Sequence, residues 1–331
     1  MKASIRRGAH ARALVSAALF AGTVLAGVLA PAGAAQAQAY TRLVVAFPPG
    51  GPSDLMARVI SDRLGKALDQ NVVVENRPGG NGAVAAQYIM HEPADGKTLW
   101  LTTAGAITVN PFLYPKLSYS VKDFAPVSLV VNTPEMLVVN PKNPATDARS
   151  FVANASKAKQ VNFASSGIGS MPHMGIALLS KATGVAFLHV PEKGAAPAIS
   201  DLLGGHVEAF IGDIPGLVGQ IKSGGLKPLA IAAPRRSELF PNVPTFAEQG
   251  IQGVELNNWS GLYVSAKTPP AVIDKLNQAI RQTLADPDVR KKLIELGVDP
   301  QATTPAEMQA LAERDSAKWK QVIDENGIKA E

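Results

Sequence analysis

Two loops rich in glycine and hydroxyl side chains are where this chain suggests chemistry. The first, Phe47-Pro48-Pro49-Gly50-Gly51-Pro52-Ser53-Asp54, follows the apolar run Leu43 to Ala46 and precedes apolar residues at helical spacing, Leu55, Val59, Ile60, Leu64 and Leu68. This is strand, loop, helix. Gly50 and Gly51 let the backbone approach a bound group, and Ser53 or Asp54 suits the N-cap of a helix whose free N–H groups favour an anion. The loop holds no Lys or Arg. A carboxylate bound there would meet amides, hydroxyls and water. The second loop, Ser165-Ser166-Gly167-Ile168-Gly169-Ser170, follows the apolar stretch Val161 to Ala164 and leads into a helix. Facing the first across a cleft, it would close donors on the other side of one small anion.

Asp213 ends the apolar strand Ala209 to Gly212, ahead of Ile214-Pro215-Gly216. It stands at a sheet edge, either to accept hydrogen bonds from a ligand or to cap the next helix. Asp54 carries the same two readings. Ser166 or Ser170, with His173 and Asp213, are the ingredients of a hydrolytic triad, but the sharp G-x-S-x-G elbow is missing around either serine, and capping or ligand contact explains Ser170 and His173. Gly80-Asn81-Gly82-Ala83-Val84-Ala85 fits a relaxed dinucleotide fingerprint. It belongs to the second strand–helix unit and is separated from its strand by Glu75 to Gly79, so a tight β-to-α connection is the better reading. His91, His173, His189 and His206 are scattered, and no H-E-x-x-H occurs.

The elements that must position these residues alternate. Val72 to Val74 and Thr98 to Thr102 read as strands, with a helix over Ala83 to His91 between them. Asn140-Pro141-Lys142-Asn143-Pro144 looks like a linker, and alternation resumes beyond it. Trp259 to Val264 reads as a return to the first domain. This is an α/β pattern, expected as mainly parallel sheets with ligands at the carboxyl ends of the strands, where Thr103 also lies. The last helix has a clear start in Thr304, Pro305 and Glu307, a capping box with Pro at the first helical position.

The chain has 331 residues, long enough for two domains, and 46% of them are hydrophobic. Lys2, Arg6, Arg7 and Arg12 precede an Ala/Leu/Val stretch ending near Ala35-Gln36-Ala37 or Ala37-Gln38-Ala39, so residues 1–39 read as a cleavable signal peptide for export to the periplasm. Those four are among 32 Lys and Arg; without them 28 stand against 27 Asp and Glu. A nearly neutral remainder gives no electrostatic case for nucleic acid. With no cysteine the chain has no disulfide, thiolate metal site or lipid-anchoring cysteine.

Several motifs resemble one family. Phe47 to Asp54, Val74-Glu75-Asn76-Arg77-Pro78-Gly79-Gly80-Asn81-Gly82, Ala94 to Thr98, Asn110 to Tyr114, Gly194-Ala195-Ala196-Pro197-Ala198, Asp201 to Val207 and Asn242 to Phe246 stand in the order of the Bug-family extracytoplasmic solute receptors, which serve tripartite tricarboxylate transporters. The resemblance implies a type II periplasmic binding-protein fold, two α/β domains with a ligand cleft between them. Residues 40–139 and 258–331 would form one domain and 140–257 the other. It implies a carboxylate held by Phe47, Gly50, Gly51, Ser53 and Asp54 on one side and Ser165, Ser166 and Ser170 on the other, with Thr103, Gly194, Ala195 and Asp213 lining the rest. The partners implied are a small organic carboxylate and membrane permease subunits, with a monomeric receptor and no cofactor, metal or catalytic residue. The alternatives are a periplasmic serine hydrolase using Ser170 and His173, or a receptor that feeds a sensor.

Overall fold

The structure is a computed structural model that describes residues 40–329; the expected signal peptide lies outside the described residues. In chain order the elements are β1 (Tyr40–Val45), α1 (Pro52–Leu68), β2 (Asn71–Asn76), α2 (Ala83–His91), β3 (Thr98–Thr103), α3 (Asn110–Leu113), β4 (Phe124–Thr133), β5 (Glu135–Val139), α4 (Ala148–Ala155), β6 (Asn162–Ser165), α5 (Met171–Thr183), β7 (Leu188–Pro191), α6 (Ala195–Gly204), β8 (Ala209–Asp213), α7 (Ile214–Lys222) and β9 (Lys227–Ile231). There follow β10 (Asn258–Ser265), α8 (Pro270–Ala285), α9 (Pro287–Glu295), β11 (Asp299–Pro300) and α10 (Pro305–Asn326).

Two sheets result. The first runs β11-β4-β10-β3-β1-β2 and the second β7-β6-β8-β5-β9. Each has a parallel core: β1 pairs with β2 and β3, and β6 pairs with β7 and β8. Strands at the crossings run the other way. β10 is antiparallel to β3 and β4, and β5 is antiparallel to β8 and β9. The expected mainly parallel sheets are therefore mixed, because a strand that has just crossed between sheets enters without the helical crossover that parallel pairing needs.

The crossings are short. Only Pro134 separates β4 in the first sheet from β5 in the second, and β10 brings the chain back. The expected boundary after Val139 falls at the far end of β5, a strand paired wholly within the second sheet.

Burial follows the sequence pattern. Leu43 and Val44 are fully buried on opposite faces of β1, as in a strand covered by helices on both sides. Met56, Ile60 and Leu64 of α1 pack with Leu43, Val45 and Leu99 beneath them. Trp100 packs with Phe124 and Tyr263 on the other face. Phe210, Ile214 and Leu217 belong to the core of the second sheet. The capping box of α10 forms as expected, Thr304 Oγ1 accepting from the Glu307 N–H.

Candidate functional site

The carboxyl ends of β1, β3, β6 and β8 deliver their following loops to one cavity. Its lining includes Phe47, Gly51, Ser53, Thr103, Ser166, Ser170, Ala195 and Asp213, all expected from the sequence. Pro48, Pro52, Met171, Pro172, Ala196 and Asn258 complete it. The enclosed space is about 30 Å³, room for a water molecule or two.

The first turns of α1, α5 and α6 line this space, and α7 begins at it with Asp213. The leading N–H groups of a helix have no intrahelical partner, and the helix dipole adds partial positive charge there. Ser53, Thr103 and Ser166 add hydroxyls. Among the described residues the cavity lining contains no Lys, Arg or His. The arrangement suits a small anion held by dipoles rather than by a formal positive charge.

The four remaining expected residues lie just behind the lining, each with a structural task. The α1 helix begins earlier than its polar residues suggest: Gly51 is the N-cap and Pro52 the first helical residue, so neither Ser53 nor Asp54 is the cap. Proline presets the helical φ and gives up an N–H that would be free anyway. Asp54 instead braces the loop. Its carboxylate accepts from the Gly50 N–H at 2.9 Å, from Arg58 Nε at 2.8 Å and from Asn76 Nδ2 at 3.0 Å. Burial opposes its charge, but the hydrogen bonds from Arg58, Gly50 and Asn76 outweigh that and hold the carboxyl below its usual range. Gly50 adopts φ +79°, a conformation that favours glycine. Gly194, at φ +126°, packs so that a Cβ there would stand 3.2 Å from Pro48 Cδ, and so it brings the α6 start against the first loop.

Ser165 is fully buried, its Oγ 2.6 Å from His189 Nε2 and accepting from the Gly167 N–H at 3.1 Å. His189 stacks on His173 with ring centroids 3.9 Å apart. Burial pushes both imidazoles down, His173 to about 3 with a further contribution from His189, and His189 to about 4. The pair is neutral and holds the loop. His173 Nδ1 accepts from the Gly169 N–H, while Ser170 Oγ donates to the Gly167 carbonyl at 2.7 Å and caps α5. Ser170 and His173 are thus each committed to the loop backbone and do not form a nucleophile–base pair with each other.

Across the cleft the two sheets are tied by side chains that were not among the expected site residues. Asn81 Nδ2 donates to the Gly169 carbonyl at 2.7 Å and Tyr114 Oη donates to the Ile168 carbonyl at 3.0 Å. Asn81, within the Gly80–Gly82 turn that fitted the dinucleotide fingerprint, has φ +47°. That conformation aims its amide at the second sheet's loop.

Asp213 faces the cavity from the start of α7 without capping it. Its Oδ1 accepts from Asn258 Nδ2 at 2.7 Å, and Glu135 stands directly opposite it in the β5–β8 pairing. Burial raises Asp213 to about 7, and burial together with the Asp213 charge raises Glu135 well above a normal carboxyl. Glu135 was missed because its strand reads as apolar, and its neighbour is set by strand register.

Residues 56–328 match the model of the tripartite tricarboxylate transporter family receptors, TctC. The chain is 36% identical over 308 residues to Protein BugT of Bordetella pertussis, covering 92% of this chain and 94% of that protein. The structure of the periplasmic binding protein BugD superimposes with a TM-score of 0.83 at 30% identity, covering 88% of this chain and 98% of the other. A Rhodopseudomonas palustris protein solved with adipate superimposes with a TM-score of 0.85 at 32% identity, again over 88% and 98%. Loops, sheets and sequence agree with that family throughout, and the chain belongs to the TctC, or Bug, family of solute-binding receptors.

Proposed function

We propose that the cavity captures a small organic carboxylate between the half of the chain built on the first sheet and the half built on the second, and that the protein passes it to the membrane subunits of a tripartite tricarboxylate transporter. The observation that carries this reading is the convergence of the α1, α5 and α6 starts on a hydroxyl-lined cavity without a cationic side chain. The adipate bound by the Rhodopseudomonas palustris relative supports the ligand class. The carboxylate is met by Gly51 and Ser53 on one side and Ser166 on the other, with water filling the remaining hydrogen bonds. The protein acts as a monomer in the periplasm, reached through cleavage of the signal peptide in residues 1–39.

The 30 Å³ cavity is too small for a dicarboxylate. Entry then requires the two sheets to separate at Pro134 and at the start of β10, and the hydrogen bonds from Asn81 and Tyr114 re-form on closure. Thermal-shift and calorimetric screening against mono-, di- and tricarboxylates, aromatic acids and acidic amino acids tests the ligand class, and stabilisation by none of them overturns it. Loss of uptake of the binding acid on deleting the gene tests delivery; unchanged uptake leaves a sensing role.

A further inference from the structure

An anion-binding cavity whose lining includes an acid but no base poses an electrostatic problem. Asp213 faces the cavity, and Glu135 lies opposite it across the β5–β8 ladder. Residues directly opposite in an antiparallel pair share one face of the sheet with their Cβ atoms about 5 Å apart. Glu135 is fully buried, and neither of its carboxyl oxygens has a protein hydrogen-bond partner. Asn258, 5% exposed and part of the cavity wall, spends its amide N–H on Asp213 and leaves its own carbonyl oxygen unpartnered.

Among the described residues no cation pairs with either acid. β8 contributes Asp213 itself, β10 contributes Asn258, and Ala232, just after β9, donates its N–H to the Glu135 backbone carbonyl. On the other side of Pro134, Arg235, Arg236 and Arg290 with Glu238, Glu295 and Asp299 line a different groove. These six line that groove and not the cavity that Asp213 faces. Across the cavity, Asp54 and Arg58 are paired with each other. Two facing buried carboxyls without a cation cannot both ionise readily, so in the empty cleft they share one proton. The N-terminus of α7 and the Asn258 N–H favour charge on Asp213, which places that proton on Glu135.

We propose that Glu135 and Asp213 make ligand capture proton-linked: a carboxylate enters the cleft together with one proton from solvent, which the pair takes up so that Asp213 meets the ligand as a hydrogen-bond donor. This rests on the carboxylate-receptor reading. It also sets a selectivity: a ligand that brings an ammonium group to Asp213 needs no added proton, whereas a simple di- or monocarboxylate does. Glu135 does not touch the ligand; it holds the shared proton opposite Asp213 and offers it no cation, while burial keeps Asp213 protonatable.

Titration calorimetry tests this with malate, succinate, adipate and benzoate as probes, in phosphate, HEPES and Tris buffers whose ionisation heats differ. For any probe that binds at pH 8, the expected result is uptake of close to one proton per ligand and affinity falling about tenfold per pH unit above neutrality. Asp213→Asn, which cannot ionise, is expected to bind without uptake and with affinity independent of pH. Binding without proton uptake by the wild type, or uptake unchanged in Asp213→Asn, overturns the proposal while leaving the carboxylate receptor intact. Binding of no carboxylate overturns both.

A ligand-free measurement guards against a variant that fails for other reasons. A buried acid whose folded pKa is raised contributes stability below its unfolded value and loses it as pH rises, so the contribution of the Glu135–Asp213 pair weakens from pH 4.5 toward 8. Glu135→Gln removes the part of that slope that Glu135 carries, and its thermal midpoint is expected to gain on wild type steadily over this range. A constant difference between the two overturns the shared-proton pair.

Discussion

Asn81 Nδ2 lies 2.7 Å from the carbonyl oxygen of Gly169, so a side chain from the first sheet's β2–α2 connection holds the turn of the second sheet's ligand loop. The same amide also donates to Asn110 Oδ1, at 2.9 Å. Because Asn81 sits at φ +47°, Asn81→Gly removes the amide without straining the backbone. One such hydrogen bond contributes about 1 kcal/mol. Ligand affinity is expected to fall roughly fivefold, and the ligand-free protein to melt somewhat lower because Asn110 Oδ1 loses its donor; calorimetry and a melting curve check the two halves.

Gly105 tests the same closure sterically. A Cβ there would stand 2.8 Å from the Gly169 carbonyl oxygen and 2.8 Å from Asn81 Nδ2. Gly105→Val therefore obstructs the approach of the two sheets. Small-angle scattering is expected to show ligand-induced compaction in wild type and none in the variant.

Gly51 separates cavity filling from misfolding. Its φ is −78°, and a Cβ would make an ordinary 3.4 Å contact with the Pro48 carbonyl oxygen, so the backbone accepts a larger residue. Gly51→Val projects its methyl groups into the small cavity. Binding should be lost at a thermal midpoint within a few degrees of wild type; retained affinity would count against this loop as a ligand contact.

How much of this was legible in the residues depends on the range of the information. The Phe47–Asp54 and Ser165–Ser170 loops were readable because strand-to-helix connections are local, and both deliver residues to the cavity. The role of Asp54 was not. Its partner Asn76 is on the neighbouring strand, and its hydrogen bond to Gly50 exists only once that glycine adopts its left-handed turn. Glu135 and Asn258 were invisible for the same reason on a larger scale: one faces Asp213 through strand register, and the other arrives on a strand returning from the second sheet. Mixed sheets escaped notice because apolar strand runs carry no sign of direction.

Asp54 also makes a stability prediction. Asp54→Ala leaves the Gly50 N–H and the Asn76 amide without their acceptor and releases Arg58. A cost on the order of 2 kcal/mol is expected, measured by urea unfolding, with the loss concentrated in the 47–54 loop by amide exchange. Because its folded pKa is depressed, the contribution of Asp54 is present above pH 4 and disappears as pH falls through its folded value. The wild-type advantage over Asp54→Ala should therefore shrink in acid.

The stacked histidines work with a related sign. His173 and His189 are held neutral, with folded values near 3 and 4 against about 6.5 when unfolded. Their contribution is fully present above the unfolded value and is lost as pH falls from there toward the folded values, because the unfolded chain binds protons that the folded loop refuses. Each histidine adds a slope of about 1.4 kcal/mol per pH unit in that window. The Glu135–Asp213 pair slopes the opposite way, so the total is uninformative and the difference between variants is what matters. His189→Gln retains a hydrogen-bonding side chain near Ser165 but cannot be protonated, and its stability is expected to fall less steeply than wild type between pH 6.5 and 4.5. In the wild type, the ring resonances of His173 and His189 should not titrate between pH 8 and 5. Titration of either near its unfolded value would mean that the ring is open to solvent and that the Ser165–Ser170 loop is not held as the stacking geometry requires.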